Sequence, residues 1–189
     1  IYSKKFLNRD MEGEGNQMSN IEHLCEKKNC CGCGACYCIC PKKAITMIED
    51  ENGFLYPKID DEKCIHCGLC KKVCNYQTDH SSNKPICGYA AVNTNHEQLM
   101  KSSSGGAFSA FATDMLHKGG VVYGAAYEIN HGNYNLRHIR IDTLEELPRI
   151  QGSKYAQSYI LDALPCVKND LEAGRNVLFS GTPCQVDAL

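Results

Sequence analysis

The chain has 189 residues, enough for one domain and a small module or for two small domains. Its 43% hydrophobic and 22% charged residues fit a soluble globular protein. A formal net charge of -2 with no long basic stripe gives no reason to expect nucleic acid, and no run approaches the ~20 apolar residues of a membrane span.

The first 20 residues, IYSKKFLNRDMEGEGNQMSN, carry two lysines but no apolar core, so they do not form a secretory signal. They read as a disordered tail, residues 1–20, within which Met11 or Met18 is a candidate natural start. A reducing cytoplasm is then the default location. Structural disulfides are not expected there, and the 14 cysteines point to metal or redox chemistry.

Two cysteine runs share one register. Cys30, Cys33, Cys36 and Cys40 precede Pro41; Cys64, Cys67, Cys70 and Cys74 precede Asn75. Both follow C-x2-C-x2-C-x3-C, the spacing of bacterial ferredoxins that hold two 4Fe-4S clusters. Three cysteines at this spacing wrap one face of a cubane, with Gly34 and Gly68 where the backbone turns closely. The fourth lies too far round to close its own cluster and reaches the other one. Cys30, Cys33, Cys36 and Cys74 are thus expected to hold one cluster, and Cys64, Cys67, Cys70 and Cys40 the second. Zinc would use two CxxC pairs separated by a loop, and the uninterrupted triplet spacing, twice, argues against it. Cys25, Cys31, Cys38 and Cys87 fall outside the runs, and Cys31 and Cys38 are expected as buried small hydrophobes.

Between the runs, residues 44–48 and 54–59 form short apolar strands around an Asp-Glu-Asn-Gly turn. Ile45, Ile48, Tyr56 and Ile65 are expected to cover the clusters and keep them dry. His66, between two cysteine ligands, could serve a metal but is expected as a solvent-facing spacer. The pairs Lys42–Lys43 and Lys71–Lys72 suit either a docking face for an acidic redox partner or a plain solvated face. A ferredoxin module over 21–80 follows, with its boundary in the polar stretch 77–85.

The second half changes texture. Residues 86–92 read as a strand, and Phe108, Phe111, Ala112 and Met115 predict a helix over 107–116, stopped at Gly119 and Gly120. VVYGAAYEI and LRHIRI are further strands. DTLEELPRI predicts a short helix broken by Pro148, residues 159–172 a longer one, and NVLF a last strand. This alternation indicates an α/β domain. The chain stops within a helix just begun, so the domain is expected to continue past Leu189.

Three polar loops are candidate sites. SSSGG, Ser102 to Gly106, opens a helix, where free backbone N–H groups and hydroxyls can cradle phosphate; it can equally be only a cap. It is neither a P-loop nor the dinucleotide fingerprint. In RIQGSKYAQS, Gly152, Ser153, Lys154 and Tyr155 could contact an anionic aromatic cofactor, with Lys154 stabilising a reduced flavin. In SGTPCQ, Thr182 is a candidate N-cap, Pro183 fits the first helical position and Cys184 the first turn. A thiol there is expected at lowered pKa, as nucleophile, redox thiol or metal ligand, or else as a structural cysteine.

The stretches SSSGGAFSAFA, GGVVYGAAY, HIRIDTLEELPRIQGSKYAQS and GRNVLFSGTPCQVDAL together resemble the beta subunits of coenzyme F-420 hydrogenases and dehydrogenases, behind a bacterial-type two-cluster ferredoxin module. The resemblance implies an α+β ferredoxin-like module followed, over 85–189, by the N-terminal part of an α/β flavin-binding domain. It implies FAD beside the two 4Fe-4S clusters. The corresponding flavin contacts are Ser103, Ser104, Gly105 and Gly106, with Lys154, Thr182 and the cofactor-proximal Cys184. The implied activity is electron transfer between clusters and a flavin that exchanges a hydride with a small molecule such as coenzyme F-420. The alternative is a ferredoxin-like carrier, or a partner-dependent component of a reductase linked to polysaccharide biosynthesis. Either way a redox partner protein is expected, separate or within the same complex.

Overall fold

The computed structural model describes residues 24–77, 85–130 and 133–189. The expected tail (1–20) and most of the expected boundary (77–85) lie outside them.

The front module is built on two glycine-led turns. After a 3-10 turn at Lys27–Asn29, helix α1 (Ala35–Ile39) starts from Gly34 at φ 79°. Strands β1 (Ile45–Glu49) and β2 (Leu55–Ile59) pair antiparallel, and α2 (Leu69–Lys72) starts from Gly68 at φ 74°. Only glycine takes such left-handed angles without cost, so both cysteine runs enter a helix through the same turn. Alternation along the strands decides what covers the sulfurs. Ile45 faces inward, so Ile48, three residues on, faces solvent, and Ile65 is exposed as well. The apolar wall is Leu24, Ile45 and Ile59, packed on Cys36, Cys40, Cys64 and Cys70. Tyr56 is only half-buried and lies under the Lys27 ammonium at 4.5 Å. Ile48 and Tyr56 thus drop out of the expected cover, Ile65 is exposed yet lines the cavity of the second cysteine run, and Leu24 and Ile59 join Ile45.

The second unit is a three-stranded mixed sheet of order β4-β3-β5. Helices α3 (His96–Met100) and α4 (Ala107–His117) precede β3 (Val121–Asn130), which pairs antiparallel with β4 (Asn133–Ile141) and parallel with β5 (Val177–Phe179). Two-residue periodicity splits β3 between two cores. Val122 and Ala126 pack with Ala112 and Leu116 of α4, Ile141 of β4, and Leu147 and Ile150 of α5 (Leu147–Ile150). Val121 and Tyr123 pack on the other face against Ile160, Leu161 and helix α6 (Ala163–Glu172). Asp170 of α6 clamps that face, accepting from Tyr123 Oη at 2.6 Å and Arg140 Nε at 2.8 Å. A short α7 (Pro183–Val186) follows β5.

Four expectations change here. Residues 86–92 form no strand; Ile86, Tyr89 and Val92 are exposed, and no neighbouring strand among the described residues supplies the ladder a strand needs. Pro148 does not break a helix but sits in the first turn of α5, where its missing N–H costs nothing. Helix α6 begins at Ala163 rather than 159, because Tyr159 is held extended beside β4: its N–H donates to Leu136 O and its carbonyl accepts from His138 N, each at 2.8 Å. The strict α/β alternation is interrupted by the antiparallel pairing of β3 and β4.

The two units pack together. Met47 of β1 inserts into the cluster around Tyr123 and α6. Gln157 Nε2 donates to Cys31 O at 3.1 Å, and Asn75 Nδ2 donates to Asp187. A Cβ on Gly34 would fall 2.2 Å from Leu161 Cδ2. Gly34→Ala combines that clash with left-handed strain and is expected to destabilise the protein by about 1–3 kcal/mol. Urea unfolding under anaerobic conditions checks this; an unchanged midpoint would contradict the packing described.

Candidate functional site

The cysteines stand around two cavities. One, of about 200 Å³, is lined by Cys64, Cys67 and Cys70 of the second run and by Cys40 of the first. The other, of about 30 Å³, is lined by Cys30, Cys33 and Cys36 together with Cys74, and also by Cys25 and Cys31. Each cavity thus groups three cysteines of one run with the fourth of the other. The Ala44 N–H donates to Cys40 Sγ at 3.3 Å, a contact that suits a thiolate acceptor. Among the described residues no group of three or more His, Cys, Asp or Glu side chains is arranged to hold a single metal ion. A ring of four sulfurs about an apolar-walled space is the donor set a 4Fe-4S cluster requires.

Burial pushes the Cys36 thiol up to about 12, aided by Cys30. Burial does the same to Cys25, aided by Cys30 and Cys74. Cys33 is pulled down, chiefly by the hydrogen bond from Cys31. Cluster binding must therefore displace protons from buried thiols. Cys31 and Cys38, expected as buried, are exposed, as are Cys87 and Cys166; Cys25 alone of the set outside the runs is buried. Cys38 lies on the exposed side of α1, and Cys31 is exposed at the edge of the smaller cavity it also lines. His66 is exposed, at φ 52°. Lys42, Lys43, Lys71 and Lys72 are all exposed, and Lys42 and Lys71 line the larger cavity.

The three polar loops converge. One cavity of about 330 Å³ is lined by Ser102, Ser103 and Gly106 of the first, by Gly152, Ser153, Lys154 and Ser158 of the second, and by Ser180, Gly181, Thr182 and Gln185 of the third. It lies at the carboxyl end of β5, where open sheets leave room for ligands. Ser104 and Gly105 do not line it. Ser104 is exposed at φ 56°, and Gly105 is pressed against the backbone, where a Cβ would meet Ala91 O at 2.3 Å. Of the four expected contact residues in this loop, Ser103 and Gly106 line the cavity.

Hydrogen bonds lace the loops together. Gln151 Nε2 donates to Ser109 Oγ at 3.0 Å, Ser109 to Ser102 Oγ at 2.6 Å, and Ser102 to Gln98 O at 2.6 Å. Ser153 N donates to Ser103 Oγ at 2.9 Å. On the other side Gln185 Nε2 donates to Ser158 Oγ at 3.0 Å, and Gln185 Oε1 accepts from Thr182 N at 2.9 Å. Thr182 caps α7 and Pro183 opens it, as expected. His138 Nε2 faces Ser180 O at 2.8 Å; a carbonyl only accepts, so Nε2 carries the proton and Nδ1 accepts from Ser158 Oγ at 2.9 Å. The ring lies on Phe179 at 5.1 Å. Sequence reasoning missed His138, Ser158 and Gln185. Only Gln185 had a signal, as the third residue after the Thr182 cap; the other two are brought in by strand pairing.

Lys154 is half-buried, donates to Gln151 O at 2.6 Å, and has its pKa lowered by burial. Cys184 does not gain the lowered pKa expected of a helix start. Burial pushes it up, with Cys31 adding to the rise and Thr182 only partly opposing it. The four-residue α7 offers little dipole to oppose this. A further cavity of about 520 Å³ joins Lys154, Ala156, Ser158, Thr182 and Gln185, all shared with the loop cavity, to Cys30, Cys31, Cys33 and Cys184. The loop cavity and the first cysteine run thus share a continuous wall.

No described helix is long and apolar enough to cross a membrane.

His138 is 5% exposed, and burial lowers its pKa. The unfolded chain binds this proton near the ordinary ~6.5 and the folded chain only at lower pH. The stability His138 contributes is therefore present above ~6.5 and lost as pH falls below it. His138→Gln is expected to flatten the fall in unfolding midpoint between about pH 7 and 5. An unchanged slope would mean the imidazole charges freely in the fold.

Comparison with known proteins follows this division. Residues 29–78 match the 4Fe-4S dicluster domain, and residues 88–165 match the N-terminal domain of the coenzyme F420 hydrogenase/dehydrogenase beta subunit. The chain is 25% identical over 175 residues to a component of the F420H2 dehydrogenase of Methanosarcina mazei, covering 89% of this chain but 49% of that relative, so it spans about half of the relative's length. A ferredoxin of Methanocaldococcus jannaschii is 39% identical over 54 residues, covering 29% of this chain and 69% of the ferredoxin. A component of the Na+-translocating ferredoxin:NAD+ oxidoreductase complex of Acetobacterium woodii is 44% identical over 45 residues, 24% of this chain and 12% of that component. The chain thus carries, in order, a region that matches the 4Fe-4S dicluster domain and a region that matches the N-terminal domain of coenzyme F420 hydrogenase/dehydrogenase beta subunits.

Proposed function

We propose that the chain is the electron-conducting part of an iron-sulfur flavoprotein oxidoreductase. Its two clusters exchange electrons with FAD held by the three loops, and a small redox substrate such as coenzyme F420 is the hydride partner. The observation that carries this reading is the shared wall: Lys154, Ser158, Thr182 and Gln185 border both the three-loop cavity and the cavity edged by Cys30 and Cys33.

In this reading Cys30, Cys33, Cys36 and Cys74 ligate the cluster nearer the loops, and Cys64, Cys67, Cys70 and Cys40 the outer one. Leu24, Ile45 and Ile59 exclude water from the sulfurs. The residues of the loop cavity fit a flavin in chemistry: a volume within the ligand range, serine hydroxyls and backbone groups on one side, and a cation on the other. Ser103, the Gly106 backbone and Ser153 face the cavity where an anionic phosphate would be bound. Lys154, already poised by the Gln151 carbonyl, would hold a proton or positive charge beside a reduced ring. Thr182 and Gln185 fix the wall between the cavities. When bound, a flavin supplies the conversion between two-electron hydride chemistry and the single electrons that clusters carry. The exposed lysines around the outer cluster suit an acidic redox partner, whether a separate protein or a component of a larger complex.

Two sets of variants test this. Cys74→Ala and Cys40→Ala should each lower iron from about eight to about four per chain, each removing a cluster whose other ligands lie in the opposite run. Full iron in either variant would overturn the crosswise assignment. Ser103→Trp should weaken FAD binding at least ~10-fold by filling the loop cavity, about 1.4 kcal/mol, and leave iron unchanged. Iron-loaded wild-type protein with no affinity for FAD would favour the plain electron carrier instead.

A further inference from the structure

The loop after β5 leaves the sheet early. Ser180 N donates to Tyr123 O at 3.0 Å, and the chain then turns through Gly181 into α7. From there side chains hold it. Ser180 O accepts from His138 Nε2 at 2.8 Å, and Thr182 N donates to Gln185 Oε1 at 2.9 Å. His138 stands on β4, where its own N–H donates to Tyr159 O and Tyr159 N donates to Leu136 O, each at 2.8 Å. From that fixed edge its Nδ1 accepts from Ser158 Oγ at 2.9 Å, and Ser158 Oγ accepts in turn from Gln185 Nε2 at 3.0 Å. The bonds run unbroken from Thr182 through Gln185, Ser158 and His138 to Ser180, leaving and re-entering one loop. Each member donates once to the next, an order that requires neutral His138 with its proton on Nε2. The imidazole lies nearly parallel to Phe179, 8° from its plane. His138, Ser158, Ser180, Thr182 and Gln185 all line the loop cavity, and Ser158, Thr182 and Gln185 also line the cavity that reaches Cys30 and Cys33.

We propose that His138 is a positioning residue for the ligand of the loop cavity. It fastens the loop after β5 to the β4 edge and so sets the distance between that wall and the loop of Lys154 and Ser158. It acts on a ligand through Ser180, Thr182 and Gln185 and transfers nothing to it. Two observations separate this from a histidine that only fills the core. The donor and the acceptor of one rigid ring are both spent on cavity-lining residues, and those residues belong to two different loops. The circuit also closes on itself, so removing the ring leaves Ser158 and the Ser180 carbonyl without their buried partner and loosens Gln185 behind them. The choice of FAD as the ligand rests on the function proposed above; the tie between the loops rests on the hydrogen bonds alone.

The test compares wild type, His138→Phe and His138→Gln as anaerobically purified, cluster-loaded protein. Phenylalanine keeps a flat ring against Phe179 but neither bond; the glutamine amide returns one donor and one acceptor. Amide hydrogen exchange is read by mass spectrometry without added ligand, and FAD affinity by titration. His138→Phe should speed exchange in the peptides around 156–158 and 180–186, leave the β1–β2 peptides and the iron content as in wild type, and weaken FAD binding about tenfold or more. His138→Gln should restore the protection and bring the affinity back to within about threefold of wild type. Wild-type exchange and affinity in His138→Phe would overturn the proposal. So would a glutamine variant as impaired as the phenylalanine one, or faster exchange spread evenly over the second unit, since either makes His138 a packing residue only. A wild type that takes no FAD would sink the flavin reading instead, and the exchange of the two loops would still decide whether His138 ties them.

Discussion

Gly34 has no side chain where Leu161 occupies the space one would need. That close approach positions everything else. It sets the turn of the first cysteine run directly against the segment that carries Tyr159, Ile160 and Leu161. The same segment continues back into the loop holding Lys154 and Ser158. Because α1 starts from the same glycine, the orientation of Cys33 and Cys36 and the docking of the module depend on one backbone conformation. Met47 completes the contact by entering the core of the second unit. A sub-ångström shift here would change the separation between the inner cysteines and the three loops.

The second unit uses apolar packing to build its sheet and polar lacing to shape its cavity. Val122 and Val121 send β3 into two separate cores. The loops at the sheet's end have little apolar surface to hold them and instead exchange hydrogen bonds through buried or half-buried groups. Ser109, His138, Ser158 and Gln185 are all buried and all partnered. Among the described residues no buried side-chain nitrogen or oxygen lacks a partner. Such a network is rigid when complete and costly when broken, because each orphaned group keeps its desolvation penalty. Rigid walls suit a site that must hold a cofactor at a fixed distance from a cluster.

Much of this was legible in the sequence because the chemistry imposes spacing. The cubane dictates C-x2-C-x2-C-x3-C, and Gly34 and Gly68 follow from the turn. The capped start of α7 was legible from Thr182 and Pro183. What was not legible depended on partners far along the chain. Residues 86–92 have strand-like composition but no described strand beside them. Tyr159 looks helical until β4 claims its backbone. Ile48 is apolar yet faces solvent because parity, set by Ile45, leaves it no choice. The SSSGG loop was legible as the start of a helix, but which of its residues face the cavity depends on the packing of Gly105 against Ala91. His138 carried no signal, since a lone histidine in a strand acquires its role only from Ser158 and Ser180.

The central claim is that two clusters and a flavin share this one chain. The most direct measurement is the content of iron, acid-labile sulfide and flavin in anaerobically purified protein supplied with FAD. The account predicts about eight irons, about eight sulfides and one tightly held flavin per chain. Iron-free, zinc-bearing protein, or clusters with no flavin affinity, would contradict it.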